Sequence, residues 1–255
     1  MSVDLRHGRW QDVLAGVTCD MLLADPPFSA KTHAGALGST NQKRKDKARQ
    51  RDIDFAPWSH GDVEAFVDAW APRVRCWIVV MTDDVLVPHF RAEFRNAGLV
   101  DFAPLPIVFA DGGFRLQGDG PASVSLWLVV GRRRGKLSGG RKIWRSLPGY
   151  YLGPTGPDQG GGRGKPAWLL DDLVRDYSDR GHVVVDPMAG YGQALASARN
   201  AGRTAIGAEE NEPTYHAAVA NLTGNRAEFL RRLPQRPVVD DATPSLFASL
   251  ESPCT

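Results

Sequence analysis

Residues 182–222 hold the pattern that most restricts the fold: two short apolar runs, each closed by an acid and each followed by a helical stretch. His182 and Val183–Val185 lead into Asp186-Pro187-Met188-Ala189-Gly190-Tyr191-Gly192, and a helix is predicted over Gln193–Asn200. After Gly202 a second strand is predicted over 204–208, closed by Glu209, with a further helix over 213–222. Apolar runs of this length read as buried strands, and the helix between them implies a parallel crossover. Gly190 and Gly192 let the backbone approach a ligand, and Glu209, about twenty residues further on, suits ribose hydroxyls. A structural turn would explain Gly-x-Gly taken alone. The P-loop signature is absent, so ATP chemistry is disfavoured.

The rest of the chain reads in the same style. Cys19–Ala24 is an apolar run stopped by Asp25-Pro26-Pro27-Phe28, a buried strand ending in a turn. Residues 29–54, including NQKRKDKARQR, lack apolar periodicity and read as a loop or small inserted element. Val63, Phe66, Val67 and Trp70 share one helix face, with Gly61-Asp62 at its start. A strand is predicted over 76–81 and an amphipathic helix over 85–97, closed by Gly98. Strands are also predicted over 103–110 and 124–130. Pro104 and Pro106 favour an edge position for the first. Residues 136–164 are rich in Gly, Pro and Arg and read as linker rather than core, whereas 166–177 read as a helix with Pro166 in its first turn. Alternating strands and helices predict an α/β fold: a doubly wound, mostly parallel sheet covered on both faces. The tail beyond Gly224 is Pro- and Arg-rich, and its last part is expected to be poorly ordered.

The formal net charge is only +2, but Lys and Arg concentrate in residues 43–51, 132–145 and 226–236. Such clusters on a nearly neutral chain fit either a surface that meets a polyanion or plain solvated loops. Cys19, Cys76 and Cys254 are too far apart for a zinc site or a disulfide framework, and the first two read as small buried thiols. No metal site is expected. With no signal-peptide core in MSVDLRHGRW and no apolar run of bilayer length, a cytoplasmic, membrane-free protein is the default expectation.

The Asp25–Phe28 turn is the most specific chemical feature. Asp25 supplies a carboxylate acceptor, and Pro26, lacking an N–H, fixes a turn that leaves its own carbonyl available. Together they suit the two hydrogens of an amino group, and Phe28 offers a face on which a planar base can stack. A Pro-terminated strand with a solvated Asp is the plain structural alternative.

These residues resemble a known family. ADPPF at 24–28 resembles the catalytic D-P-P-[FYW] motif of S-adenosylmethionine-dependent amino-methyltransferases acting on DNA bases, and VVVDPMAGYG at 183–192 resembles their cofactor motif. GRTAIGAEENEPTY at 202–215 is similar to the run that follows it, and GKPAWLLDDLV at 164–174 to the helix that precedes it. The catalytic motif comes first and the cofactor motif last, the permuted order of the β-class enzymes. The resemblance implies a Rossmann-like, seven-stranded sheet with one antiparallel strand. It implies a catalytic half (residues 1–134, with a basic loop over 29–57) and a cofactor half (164–224). Between them lies a short linker or reduced target-recognition segment (135–163), and a tail follows (225–255). Asp25, Pro26, Pro27 and Phe28 would be catalytic. Asp25, Asp186, Pro187, Met188, Ala189, Gly190, Tyr191 and Gly192 would border the cofactor. Glu209, beside Glu210, would hold its ribose, and Lys165 would lie near its carboxylate. The implied reaction is direct transfer of a methyl group to N6 of a flipped-out adenine in double-stranded DNA.

Several positions depart from the pattern. Met188 stands for the usual Phe, Tyr191 for a small Ser or Thr, Gln193 for a frequent Thr, and Arg9 where an Asp commonly contacts the cofactor adenine. Tyr191 would either stack on the ligand or crowd it. The 135–163 interval is too short for a substantial recognition domain, so the basic loop, low specificity or a partner subunit would account for target choice. Lys43, Arg44, Lys45, Lys47, Arg141, Lys142 and Arg145 are the candidate phosphate contacts. Trp144, Tyr150 and Tyr151 would either stack on bases or pack the linker onto the domain. Cytosine-N4 and RNA-adenine transfer are the alternatives within the class. A weakly active nucleic-acid-binding subunit is the alternative outside it, and a homodimer is the default assembly.

Overall fold

The computed structural model describes residues 2–37, 55–110, 115–117, 120–123, 125–134, 147–155 and 164–224. The main sheet has nine strands in the order β1-β11-β10-β2-β3-β8-β5-β9, with β4 paired beside β5 on β8. The strands are β1 (Val3–His7), β2 (Cys19–Ala24), β3 (Val74–Thr82), β4 (Val100–Asp101), β5 (Leu105–Phe109), β8 (Ser125–Arg132), β9 (Tyr151–Gly153), β10 (Val183–Asp186) and β11 (Thr204–Glu209). A separate hairpin joins β6 (Arg115–Gln117) to β7 (Gly120–Ser123). Strands β1, β11, β10, β2 and β3 are mutually parallel. β8 runs against β3, β4 and β5.

The helices are α1 (Trp10–Val13), α2 (Ala30–Leu37), α3 (His60–Trp70), α4 (Val87–Asn96), α5 (Ala167–Tyr177), α6 (Gln193–Asn200) and α7 (Glu212–Leu222). Alternation along β2 and β3 divides the core between two faces. Met21, Leu23, Val79 and Met81 meet Leu169, Leu173 and Leu195 of α5 and α6. Leu22, Ala24, Ile78 and Val80 meet Val63, Phe66 and Trp70 of α3 and Phe90 and Phe94 of α4. The sheet is therefore doubly wound, as its sequence pattern predicts. Ser59 and Asp62 fix the start of α3: the Ser59 N–H and hydroxyl both donate to Asp62 Oδ2, at 2.8 and 2.7 Å.

Three expectations are corrected, and two further elements are added. The sheet has nine strands rather than seven, because the two-residue β4 and the three-residue β9 add to it. The 135–163 segment is not all linker: β9 pairs with β5, and Tyr151 is buried, its hydroxyl donating to Asp176 at 3.0 Å. For the same reason β5 is not an edge strand, since β8 and β9 flank it despite Pro106. Helix α2 occupies the start of the 29–54 stretch, which the sequence left open between a loop and a small inserted element. The N-terminal strand β1, whose mixed polar sequence VDLRH gave no apolar run, pairs with β11.

Candidate active site

The carboxyl ends of the parallel strands carry a row of titratable side chains. His7 closes β1, Glu209 closes β11 and Asp186 closes β10, while Asp25 follows β2 and Asp83 follows β3. The chain leaves β10 toward β11 on one side and β2 toward β3 on the other. The switch point therefore lies between Asp186 and Asp25, the position at which open α/β sheets bind ligands.

On the β10 side, the 186–192 turn is tightly held. Met188 N donates to Asp186 Oδ1 at 3.1 Å, Ala189 N to Ala208 O at 2.8 Å, and Gly192 N to Ala189 O at 2.8 Å. Gly190 and Gly192 have φ of 52° and 76°, left-handed values that disfavour side chains. A Cβ on Gly192 would also meet Leu222 at 3.2 Å. Glu209 braces the turn, one oxygen accepting Gly190 N and the other Asn211 N, both at 2.9 Å. Carboxylate oxygens accept more than one hydrogen bond, so this bracing is compatible with ribose hydroxyls as further donors. Glu210 is exposed, and its carbonyl lies 3.2 Å from His7 Nε2, whose ring packs 5.0 Å from that of Tyr215. Burial is the main cause that pushes Asp186 up to about 7; the carboxylates of Asp25 and Glu209 add to it, against the Met188 N–H and Lys165.

Two of the expected cofactor neighbours, Tyr191 and Met188, also have partners in the core. Tyr191 is buried with Ala217 and Ala220 of α7, and its carbonyl accepts from Asn221 Nδ2 at 2.9 Å. Its bulk is accommodated in the protein interior. Met188 packs against the core on the α3/α4 side. Pro187 and Ala189 are buried within the turn.

On the β2 side, all six strand residues are buried, and Asp25 emerges half-buried above them. Its Oδ2 accepts a hydrogen bond from the Lys165 ammonium, whereas its Oδ1 is buried with no hydrogen-bond partner among the described residues. Lys165 Nζ also lies 5.3 Å from the Phe28 ring centroid, a cation–π contact. Pro26 is buried; Pro27 and Phe28 are half-buried. Gln193 Nε2, at the start of α6 against Gly164, is a second buried polar atom without a partner.

A residue not singled out from the sequence anchors the segment that follows the Asp25–Phe28 turn. Asp83 Oδ2 accepts from Ser29 N at 2.9 Å, Ser29 Oγ at 2.6 Å and Thr32 Oγ1 at 2.6 Å, and Oδ1 accepts from Leu86 N at 3.1 Å. Burial works to raise the Asp83 pKa, and these donors outweigh it, holding the group below the usual carboxylate range. The Phe28 carbonyl is fixed from the other side by Trp58 N at 3.0 Å. The available signal was an acid closing an apolar run, the same signal that marks Asp25, Asp186 and Glu209.

Lys43, Arg44, Lys45, Lys47, Arg141, Lys142, Arg145 and Trp144 lie outside the described residues, as does the 225–255 tail. Tyr150 is 60% exposed, whereas Tyr151 is 3% exposed and belongs to the core. Among the described residues no helix is long and apolar enough to cross a membrane.

Residues 157–220 match the model of the family described as DNA methylase, of the N6/N4 type. No curated protein sequence matches the chain. Among solved structures, the M1.HpyAVI–SAM complex superposes with a TM-score of 0.61 at 14% identity, covering 86% of this chain and 99% of that one. The TTHA0409 protein of Thermus thermophilus, complexed with S-adenosyl-L-methionine, gives 0.56 at 21% identity, covering 91% and 94%. PvuII DNA methyltransferase (cytosine-N4-specific) gives 0.61 at 11% identity, covering 92% and 94%. Residues 157–220 thus match the DNA methylase model, and the described residues have the Rossmann-like fold of these methyltransferase structures.

Proposed function

We propose that this chain is an S-adenosylmethionine-dependent DNA methyltransferase that modifies an exocyclic amine, with adenine N6 of a flipped-out base in double-stranded DNA as its target. The observation that carries the reading is Asp25: a carboxylate at the switch point with one oxygen held by Lys165 and the other buried without a donor. An amino group of a base is a donor of the right kind for that oxygen. The Pro26 carbonyl would take the second amine hydrogen, and the half-buried Phe28 ring would stack on the base.

The opposite wall fits the cofactor. The Gly190 and Gly192 backbone gives close approach, Glu209 lies beside the turn as an acceptor for ribose hydroxyls, and the unpartnered Gln193 amide is a donor in reach of the same turn. Asp186, Pro187 and Ala189 would line the methionine end through the backbone of the turn, with Lys165 beside them. When bound, S-adenosylmethionine would supply an electrophilic methyl, which the amine nitrogen would take as the S–C bond breaks with its electrons going to sulfur, the displaced N–H proton passing to solvent. The protein's part is to orient the amine so that its lone pair faces that methyl.

The catalytic motif before the cofactor motif is the permuted, β-class arrangement, with residues 1–134 and 164–224 as the two halves of one domain. The basic clusters at Lys43–Lys47 and Arg141–Arg145 would hold DNA phosphates, and a homodimer or a partner subunit would complete target recognition. The Asp of the DPPF turn favours adenine. Cytosine N4 is the second reading, supported by the PvuII likeness. Isothermal calorimetry with S-adenosylmethionine tests the reading at its base. Binding by the wild-type protein and by Asp25→Ala alike, with transfer to DNA lost only in the variant, is expected. Absence of cofactor binding by the wild type would favour a nucleic-acid-binding subunit instead.

A further inference from the structure

We infer that Lys165, set against both ends of the Asp25–Phe28 turn, is a positioning residue that fixes the Asp25 carboxylate for the target amine. This goes beyond a contact to the cofactor, and it rests on the methyltransferase reading. The lysine sits on a rigid mount. It precedes Pro166, the N-cap of α5, and α5 is fastened to the core by Leu169, Leu170, Leu173, Val174 and Tyr177. The preceding Gly164 lies so close to the start of α6 that a Cβ there would stand 2.9 Å from Gln193 Nε2. The ammonium is thus delivered from the cofactor half of the chain to the catalytic turn.

At the turn the lysine makes two contacts, the ion pair to Asp25 Oδ2 and the approach to the Phe28 ring. The side chains of Lys165 and Asp25 are only 16% and 27% exposed, so water screens the pair less than it would on an open surface. An aspartate carboxylate rotates readily about its last torsion. Holding Oδ2 stops that rotation and commits Oδ1, the buried oxygen without a partner, to face the incoming amine. An unpartnered buried acceptor is costly, and the amine N–H relieves that cost only when the base is in place. The ammonium has three donors, so the bond to Asp25 leaves donors for an acceptor on the cofactor side. Lys165 thereby ties the two halves of the site together.

The test separates this role from a cofactor contact alone. Lys165→Met removes the charge and donors at similar length, and Lys165→Arg keeps them. Cofactor affinity is measured by calorimetry, which also reports whether each variant is folded, and transfer to DNA is measured in single turnovers at saturating S-adenosylmethionine. Lys165→Met is expected to slow the saturated rate on the order of tenfold to a hundredfold, the effect of a lost charge-assisted hydrogen bond. Lys165→Arg should restore most of it. A saturated rate within about threefold of wild type, whatever the change in cofactor affinity, would overturn the positioning role and leave the methyltransferase reading intact. A wild-type protein that neither binds cofactor nor transfers methyl would remove that reading, and this inference with it.

Discussion

Asp25 and Glu209 are chemically similar groups at the ends of parallel strands of one sheet, and their surroundings divide the work between them. Glu209 has both oxygens engaged by backbone N–H groups, of Gly190 in the 186–192 turn and of Asn211, and so braces the shape of that turn. Glu209→Ala should weaken S-adenosylmethionine binding by ~1–3 kcal/mol, the range for a lost hydrogen bond to a charged group. An unchanged calorimetric dissociation constant would remove Glu209 from the ribose site. Asp83 holds Ser29 and Thr32 immediately after the Asp25–Phe28 turn. Asp83→Asn should cut the transfer rate while cofactor affinity stays within about threefold of wild type, because the disturbed segment adjoins Phe28 and not the 186–192 turn. Equal losses in both would show that the substitution acts on the whole fold. Asp25, Asp186 and Glu209 were legible because an acid closing an apolar run is visible without coordinates. Asp83 gave the same signal after 76–81 but formed part of no motif. The packing of Tyr191 was not legible, because a sequence does not disclose that Ala217 and Ala220 of α7 lie against it.

Elements position these residues through close approach. On β11, Gly207 admits α6: a Cβ there would stand 2.7 Å from Leu195 Cδ1 and 3.0 Å from the Asp186 carbonyl. Gly207→Ala should therefore destabilise the protein by ~1–3 kcal/mol, the usual cost of overpacking a core. It should weaken cofactor binding at the same time, because the displaced helix begins at the glycine turn. Urea denaturation with parallel calorimetry checks both, and wild-type stability would mean that α6 is not seated as described. At this scale the elements with a clean apolar period, namely β2, β3, α3, α5, β10 and β11, were legible. β1 and β9 were not, because a five-residue half-polar strand and a three-residue strand carry too few side chains to show a period. Their existence depends on partners distant in sequence: β11 for β1 and β5 for β9. The same distance effect placed β5 inside the sheet, although its prolines read as an edge.

For the molecule as a whole, one buried acid links the site to stability. The Asp186 pKa is pushed from 3.8 in the unfolded reference to about 7 in the fold, mainly by burial. Between those values the folded state binds more protons than the unfolded one, so this contribution is complete below about 3.8 and is lost as pH rises through about 7. Asp20, Asp83 and Glu93, whose pKa values are lowered, contribute in the opposite sense, but equally in wild type and in Asp186→Asn. The stability of wild type relative to Asp186→Asn should therefore fall between about pH 4 and pH 7 when both are unfolded in urea. Parallel curves would show that Asp186 is not held neutral. The doubly wound architecture was legible from strand and helix alternation. The strand count and the route of residues 147–155 were not, since they depend on pairings that leave no local pattern. The central claim, transfer of a methyl group to an exocyclic amine, is tested most directly by incubating the protein with labelled S-adenosylmethionine and unmodified DNA and then identifying labelled nucleosides in the digest. N6-methyladenine is the expected product. Label in N4-methylcytosine would correct the target, and no labelled nucleoside from a protein that binds the cofactor would contradict the account.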